Sequence, residues 1–223
     1  MRLLSILHTE SSIGWGGQEI RILTEMQGMA RRGHRVHLVT ANSADILPAA
    51  RERGLPVDGL PIEAKKPAGL IAMRDWLGRH GRDFDVINTH SSTDAWLVAL
   101  ARVARGGMPP VVRTRHVSTP VNTSRTTRWL YGTATAEIVV TGEALKSQLV
   151  RDNGLDPARI TSVRTGIDLA RFRPLDRAAA RAAHHVDARP AVAILATLRD
   201  WKGHDELLDA WAQLRVQAPG WQL

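Results

Sequence analysis

Along most of this 223-residue chain, short apolar runs alternate with stretches whose apolar residues recur at helical spacing. Residues 2–8 are the first apolar run, and a glycine-rich turn follows over 13–19. A helix comes next, with Ile22, Leu23, Met26, Met29 and Ala30 on one face, stopped by Gly33 in a position suited to a C-terminal cap. Residues 35–40 are the second strand. Ser43 or Asp45 can cap a helix up to about residue 53, and 55–60 reads as an edge-like strand interrupted by Pro56. A helix over 69–80 leads into a strand at 85–89, and a further helix over 93–105 turns Trp96, Leu97, Leu100, Ala101 and Ala104 inward. Strand 111–114, helix 125–133, strand 138–141, helix 143–152 and strand 160–163 complete the series. Strands separated by helices of this length predict an α/β fold, a doubly wound parallel sheet of Rossmann-like type.

The alternation breaks over 166–174. A polar, alanine-rich helix follows, then an apolar run at 191–196 and a helix carrying Leu207, Leu208, Trp211 and Leu214. The expected organisation is a first domain over 1–170, a linker over 171–188, and the opening strand–helix unit of a second Rossmann-like domain over 189–223. One strand and one helix do not close such a core, so the second domain is expected to be partial.

Composition narrows the chemistry. There is no cysteine, which excludes disulfides, thiol nucleophiles and cysteine-based zinc sites. The first apolar run is too short for a signal peptide and no run approaches 18 apolar residues, so a soluble, cytoplasmic protein is expected. A net charge of +8 and a pI near 11.0 favour an anionic partner: nucleic acid, an anionic membrane surface or a phosphorylated ligand. Much of the basic excess is Arg in an alanine- and glycine-rich sequence, and compositional bias accounts for part of it. No acidic residue lies between Asp94 and Glu137, whereas Arg102, Arg105, Arg113, Arg115, Arg125 and Arg128 do.

In a doubly wound sheet ligands bind at the carboxyl ends of the strands, so the residues after each strand carry the chemistry. After the first strand comes Gly14-Trp15-Gly16-Gly17-Gln18-Glu19, whose glycines admit close backbone approach and whose helix start favours an anion such as a diphosphate. It does not match G-x-G-x-x-G, because Glu19 stands at the third glycine position. His90 follows the strand at 85–89 and His116 follows the strand at 111–114. A lone histidine is more often structural or solvated than functional. Two at neighbouring ends on the ligand edge become candidates together. Past residue 196, Arg199 offers a planar bidentate fork and Lys202 a point charge, a pair suited to a diphosphate. Asp205 in the next helix's first turn reads as a stabilising charge. Neither a G-x-S-x-G elbow nor a G-x-x-x-x-G-K-[ST] loop is present.

Taken in order, GGQE, DVINTH, VVRTRH, EIVVTGEALKSQL, ITSVRTGIDLARFRP and LRDWKGHDELLDAW resemble family 4 of the retaining glycosyltransferases. The resemblance covers nearly the whole chain and implies a GT-B architecture of two facing Rossmann-like domains, acceptor-side first and nucleotide-sugar-side second. It implies that Gly16 and Gly17 lie against the donor's phosphate or sugar, that His116 stands near the transferred sugar, and that His90 matches the histidine after the preceding strand. Arg199 and Lys202 would hold the diphosphate, without a metal and with the nucleotide-sugar as co-substrate rather than a cofactor. Arg115, Arg125 and Arg128 would face the acceptor or an anionic membrane, with the protein peripheral on the inner face of the cytoplasmic membrane. Two positions depart from the family pattern: Thr165 stands where Asn is usual, and Ala196-Thr197-Leu198 replaces G-R-L. The family's E-x7-E glutamates would fall beyond Leu223. The expected function is sugar transfer with retention from a nucleotide diphosphate donor to a glycan or lipid-linked acceptor. The alternatives are a non-catalytic sugar-nucleotide-binding fragment or a sugar-nucleotide epimerase of the same fold. Nucleic-acid binding has only the charge behind it and no recognition motif, so no nucleic-acid partner is expected.

Overall fold

A computed structural model describes residues 2–223. They divide into two compact units, residues 2–166 and Ile167–Leu223.

In the first unit β1 (Ser5–Glu10), α1 (Gly17–Arg31), β2 (Arg35–Ala41), α2 (Ile46–Glu52), β3 (Val57–Leu60), α3 (Pro67–His80), β4 (Val86–Thr89) and α4 (Ser92–Arg105) run in order. They are followed by β5 (Val111–Arg115), α5 (Arg125–Trp129), β6 (Glu137–Val140), α6 (Glu143–Asn153) and β7 (Ile160–Ser162). The strands form one parallel sheet in the order β3-β2-β1-β4-β5-β6-β7. Helices cover the sheet, so strand centres are apolar and sealed: Leu7, Leu38 and Ile87 are fully buried. At about 25 cal/mol per Å² of apolar surface, each such leucine or isoleucine contributes roughly 1.5–3 kcal/mol.

The strand direction reverses its neighbour order at β1, where β2 pairs on one side and β4 on the other. This is the topological switch point, the place where sheets of this kind bind ligands past the strand ends. The three strands around it end in polar residues that are nonetheless buried: His8, Thr9 and Glu10; Asn88, Thr89 and His90; Arg113, Thr114 and Arg115.

Several local expectations shift. β3 begins at Val57 rather than 55, because Pro56 has no N–H for the ladder, although its carbonyl accepts from Leu38 N at 2.9 Å. Asp45 stands at the α2 N-cap without a side-chain bond, and its own N–H holds Ile13 O at 3.2 Å. On α4, Leu97 and Ala101 are buried as expected and Trp96 is half-buried, but Leu100 and Ala104 are exposed. Asp94, Ala95, Val98 and Ala99 are inward instead. The cause is that α4 bridges two cores, Val98 packing with the β1–β5 cluster and Ala99 with the cluster around Leu130, Tyr131 and Ile138. The helix at 125–133 is real but changes pitch, α5 running on as a wider π turn over Leu130–Ala134.

The second unit holds α7 (Arg177–Ala183) and α8 (His204–Gln217). The strand expected at 191–196 does not form. Only Ala191 bridges Gln222, with Val192 N donating to Gln222 O at 2.9 Å, and Leu195 stays exposed. Beyond that bridge the run has no neighbouring strand to pair its backbone.

Candidate active site

The buried polar strand ends converge into one network. His8 Nδ1 lies 3.0 Å from His90 Nε2, and His90 Nδ1 lies 2.9 Å from His116 Nε2. The first two rings are parallel within 5° and 5.3 Å apart between centroids, so they meet edge to edge, as an in-plane hydrogen bond requires. The second pair is tilted by 35°. Topology makes this chain: β1, β4 and β5 are adjacent; β1 carries His8 two residues before its end, and β4 and β5 deliver His90 and His116 just past theirs. Burial pushes His8 down to about 4, and burial with the nearby Arg21 and Arg113 guanidiniums does the same to His116. His90 is pushed well below its ordinary value by burial, reinforced by its two histidine neighbours. At neutral pH all three rings are uncharged.

Beside the histidines sit two buried carboxyls that motif reading did not single out. Asp94, on the first turn of α4, accepts from Thr9 Oγ1 at 2.7 Å, His90 N at 3.0 Å and Ser91 N at 2.8 Å. Glu10 accepts from Ser12 N at 2.7 Å and makes short contacts with Gln18 Nε2 and Ser91 Oγ. Burial raises Glu10 to about 7, with the charge of Asp94 adding, and burial raises Asp94 to about 6. With at least three donors on each carboxyl, these groups act as staples. Gln18 also donates to Ser91 Oγ at 3.0 Å, so the start of α1 is tied to the residue following His90.

That tie positions the glycine loop. Gly16 precedes α1 in an extended conformation with no side-chain cap, leaving the first N–H groups of the helix unclaimed by a capping side chain. A Cβ on Gly17 would meet nothing within 4 Å, and on Gly16 only Glu19 Oε2 at 3.6 Å. Neither packing nor backbone angle demands glycine at these two places. What their bareness preserves is open approach to the helix N-terminus.

The arginine-rich stretch is mostly structural. Arg102 donates to Ala134 O, Arg105 to Asp75, and Arg113 to Ser91 O at 3.1 Å while lying over the Tyr131 ring. Arg115, expected on the acceptor or membrane side, is buried and turned inward to Tyr131 Oη and Thr119 O. Among the described residues, Arg125 and Arg128 are the two exposed guanidiniums of this stretch without a hydrogen-bond partner. Arg128 lines a cavity of about 200 Å³ with Tyr131, Asn153, Leu155 and Arg159.

Thr165, the departure from the family pattern, accepts from Arg21 Nη1 at 3.1 Å, and Arg21 Nη2 holds Val163 O at 3.1 Å. In the second unit Arg199 precedes and Lys202 ends a short helical turn before α8, both exposed, with Arg199 over the Trp201 ring at 5.4 Å. Gly203, at φ +79, makes the left-handed turn into α8.

Comparison with known proteins places these features in context. The family profile described as Glycosyltransferase Family 4 matches residues 15–171. The D-inositol 3-phosphate glycosyltransferase of Rhodococcus jostii is 31% identical over 92% of this chain and 51% of its own length. That of Saccharomonospora viridis is 32% identical over 92% of this chain and 54% of its own. The chain thus spans about half the length of these relatives. Among solved structures, Anabaena HepE in complex with UDP-glucose superposes with a TM-score of 0.74 at 18% identity, covering 94% of this chain and 57% of that one. A glycosyltransferase from Rickettsia africae gives 0.76 at 16%, covering 96% and 58%. The seven-stranded parallel sheet is Rossmann-like and matches GT-B glycosyltransferase structures.

Proposed function

We infer, on the premise that this chain belongs to glycosyltransferase family 4, that it contributes the acceptor-side domain and the donor-phosphate loop of a sugar-transferring enzyme. The reaction is transfer of a sugar, with retention of configuration, from a nucleotide diphosphate donor to a glycan or lipid-linked acceptor. The observation that carries this reading is the three-histidine chain at the carboxyl edge of the sheet, tied through Ser91 and Gln18 to the uncapped N-terminus of α1.

Each group has a task. Gly16 and Gly17 let the donor's phosphate or sugar come against backbone N–H groups. His116 meets the transferred sugar, with His90 behind it. Arg199 and Lys202 take the diphosphate and offset the negative charge that grows on the leaving group as the glycosidic bond breaks. HepE was crystallised with UDP-glucose, which supports a nucleotide-sugar donor. The Rhodococcus relative's name specifies a phosphorylated polyol, which supports a hydroxyl acceptor in an electropositive site. Arg125 and Arg128 contact the anionic inner face of the cytoplasmic membrane, where the protein is peripheral. Among the described residues no helix is long and apolar enough to cross a membrane.

The test is incubation of the full-length protein with a panel of nucleotide sugars and candidate acceptors, reading released nucleoside diphosphate against glycosylated product. Expected are one-to-one stoichiometry and a product anomer matching that of the donor by NMR. An inverted anomer, or no transfer with any donor, overturns the reading.

A further inference from the structure

Three imidazoles joined by two hydrogen bonds have only two fully bonded neutral arrangements. A neutral imidazole carries one N–H and one lone pair, so whichever nitrogen donates, the other must accept. Because the bonds run from His8 Nδ1 to His90 Nε2 and from His90 Nδ1 to His116 Nε2, the rings share one tautomer. Either all three are protonated on Nδ1, or all three on Nε2. The choice is made once for the whole chain and is felt at both ends.

The two ends differ. At the inner end, His8 Nε2 is buried and has no hydrogen-bond partner among the described residues. At the outer end, His116 Nδ1 makes no hydrogen bond among the described residues, and it is not sealed off as His8 Nε2 is. The all-Nε2–H arrangement would strand an N–H donor in the interior, the rarer and more costly kind of orphan. The all-Nδ1–H arrangement leaves only a lone pair there and puts an N–H at the outer end. The inner end is also closed to proton exchange, so a proton taken up at His116 has nowhere to leave and would charge a buried chain flanked by the Arg21 and Arg113 guanidiniums. The chain is a polarised donor array and not a base.

We propose that His8, on β1, is a positioning residue: acting through His90, it holds His116 in the tautomer that presents Nδ1–H to the crevice, so that His116 serves the ligand as a neutral hydrogen-bond donor. The ligand it serves is the one inferred under the proposed function, and the proposal rests on that reading only for this last step.

The test separates the two. Histidine-selective 15N labelling and long-range 1H–15N correlation report the tautomer of each ring without substrate, assigned with His8→Asn, His90→Asn and His116→Asn. Expected are Nδ1–H on all three residues in the unsubstituted protein. Nε2–H, or a mixture of tautomers, on any of them overturns the proposal. His8→Asn places an amide donor near the lost Nδ1–H and keeps Nδ1–H on His90 and His116. His8→Leu removes the donor, and His90 and His116 become mixed. If His8→Leu leaves both rings unchanged, His8 does not set them. Should His8→Leu fail to fold, the unsubstituted spectrum and His8→Asn still decide. In transfer assays kcat for His8→Leu falls below that of His8→Asn in proportion to the share of His116 that no longer carries Nδ1–H, about twofold for an even mixture, with KM little changed. Equal kcat values refute the link to turnover. Absence of transfer in every variant, with the tautomers as expected, removes the sugar-transfer reading and leaves the assignment of His8 standing.

Discussion

Replacing Glu10 by Gln isolates an ionisation that folding opposes. Glu10 is sealed at the end of β1 and burial holds its carboxyl at about 7 against an ordinary 4.5. A carboxyl raised in the folded state favours folding fully below its ordinary value, and that advantage is lost as pH rises through the folded value. Over this window the loss is on the order of 3 kcal/mol. The lowered histidines act in the opposite sense: folding gains as pH rises from about 4 toward 6.5 and they become neutral in both states. The difference between variant and parent cancels their share. Gln keeps an acceptor for Ser12 N–H and Ser91 O–H, and Gln18 can turn its amide to suit. The assay is urea unfolding of both proteins at intervals between about pH 5 and 9. Glu10→Gln should gain steadily on the parent as pH rises, reaching on the order of 3 kcal/mol relative to its acid value. A constant offset across that range would show that Glu10 ionises freely, and the buried network as described would be wrong.

Three other substitutions probe separate layers. Gly17→Val places a side chain where nothing stands within 4 Å; stability should change by less than about 1 kcal/mol while nucleotide-sugar affinity, read by calorimetry, falls at least about tenfold. Leu7→Ala opens a cavity in the β1 core and should cost roughly 2–5 kcal/mol in chemical denaturation. Arg125→Glu with Arg128→Glu reverses the two exposed guanidinium charges near α5; at roughly 1 kcal/mol per arginine lost, and with repulsion by the added carboxylates, affinity for anionic vesicles read by sedimentation should drop at least about thirtyfold, and unchanged sedimentation rules out that membrane face.

The fold could be read from the chain because each β–α unit carries its own period. The runs around Leu7, Leu38 and Ile87 are apolar on both faces, as buried parallel strands must be, and Gly33 ends α1 where expected. What periodicity could not supply is the orientation of a helix that serves two cores. For that reason α4 turns Val98 and Ala99 inward while Leu100 is exposed. The apolar run at 191–196 misled for a related reason: apolar character proposes a strand, but only a paired neighbour makes one.

The candidate site was half legible. His90 and His116 stand out as the residues after two strands, but His8, Glu10 and Asp94 hide inside a strand and a helix turn, and only the β1–β4 pairing shows them as partners. A signal was present in the triplets His8-Thr9-Glu10, Asn88-Thr89-His90 and Arg113-Thr114-Arg115. Three strands of one parallel sheet each turn polar at the carboxyl end, and polar groups so placed must find one another. The arginine count misled in the other direction. Arg102, Arg113 and Arg115 satisfy backbone carbonyls within the fold, and net charge alone does not distinguish such residues from ligand-binding ones.

The most direct test of sugar transfer at this edge is the donor-dependent turnover of the full-length protein carrying His116→Ala, compared with the parent at equal thermal stability. Removing a hydrogen-bond donor to the reacting sugar predicts a loss of kcat on the order of a hundredfold or more. Undiminished turnover in a folded His116→Ala protein would contradict it.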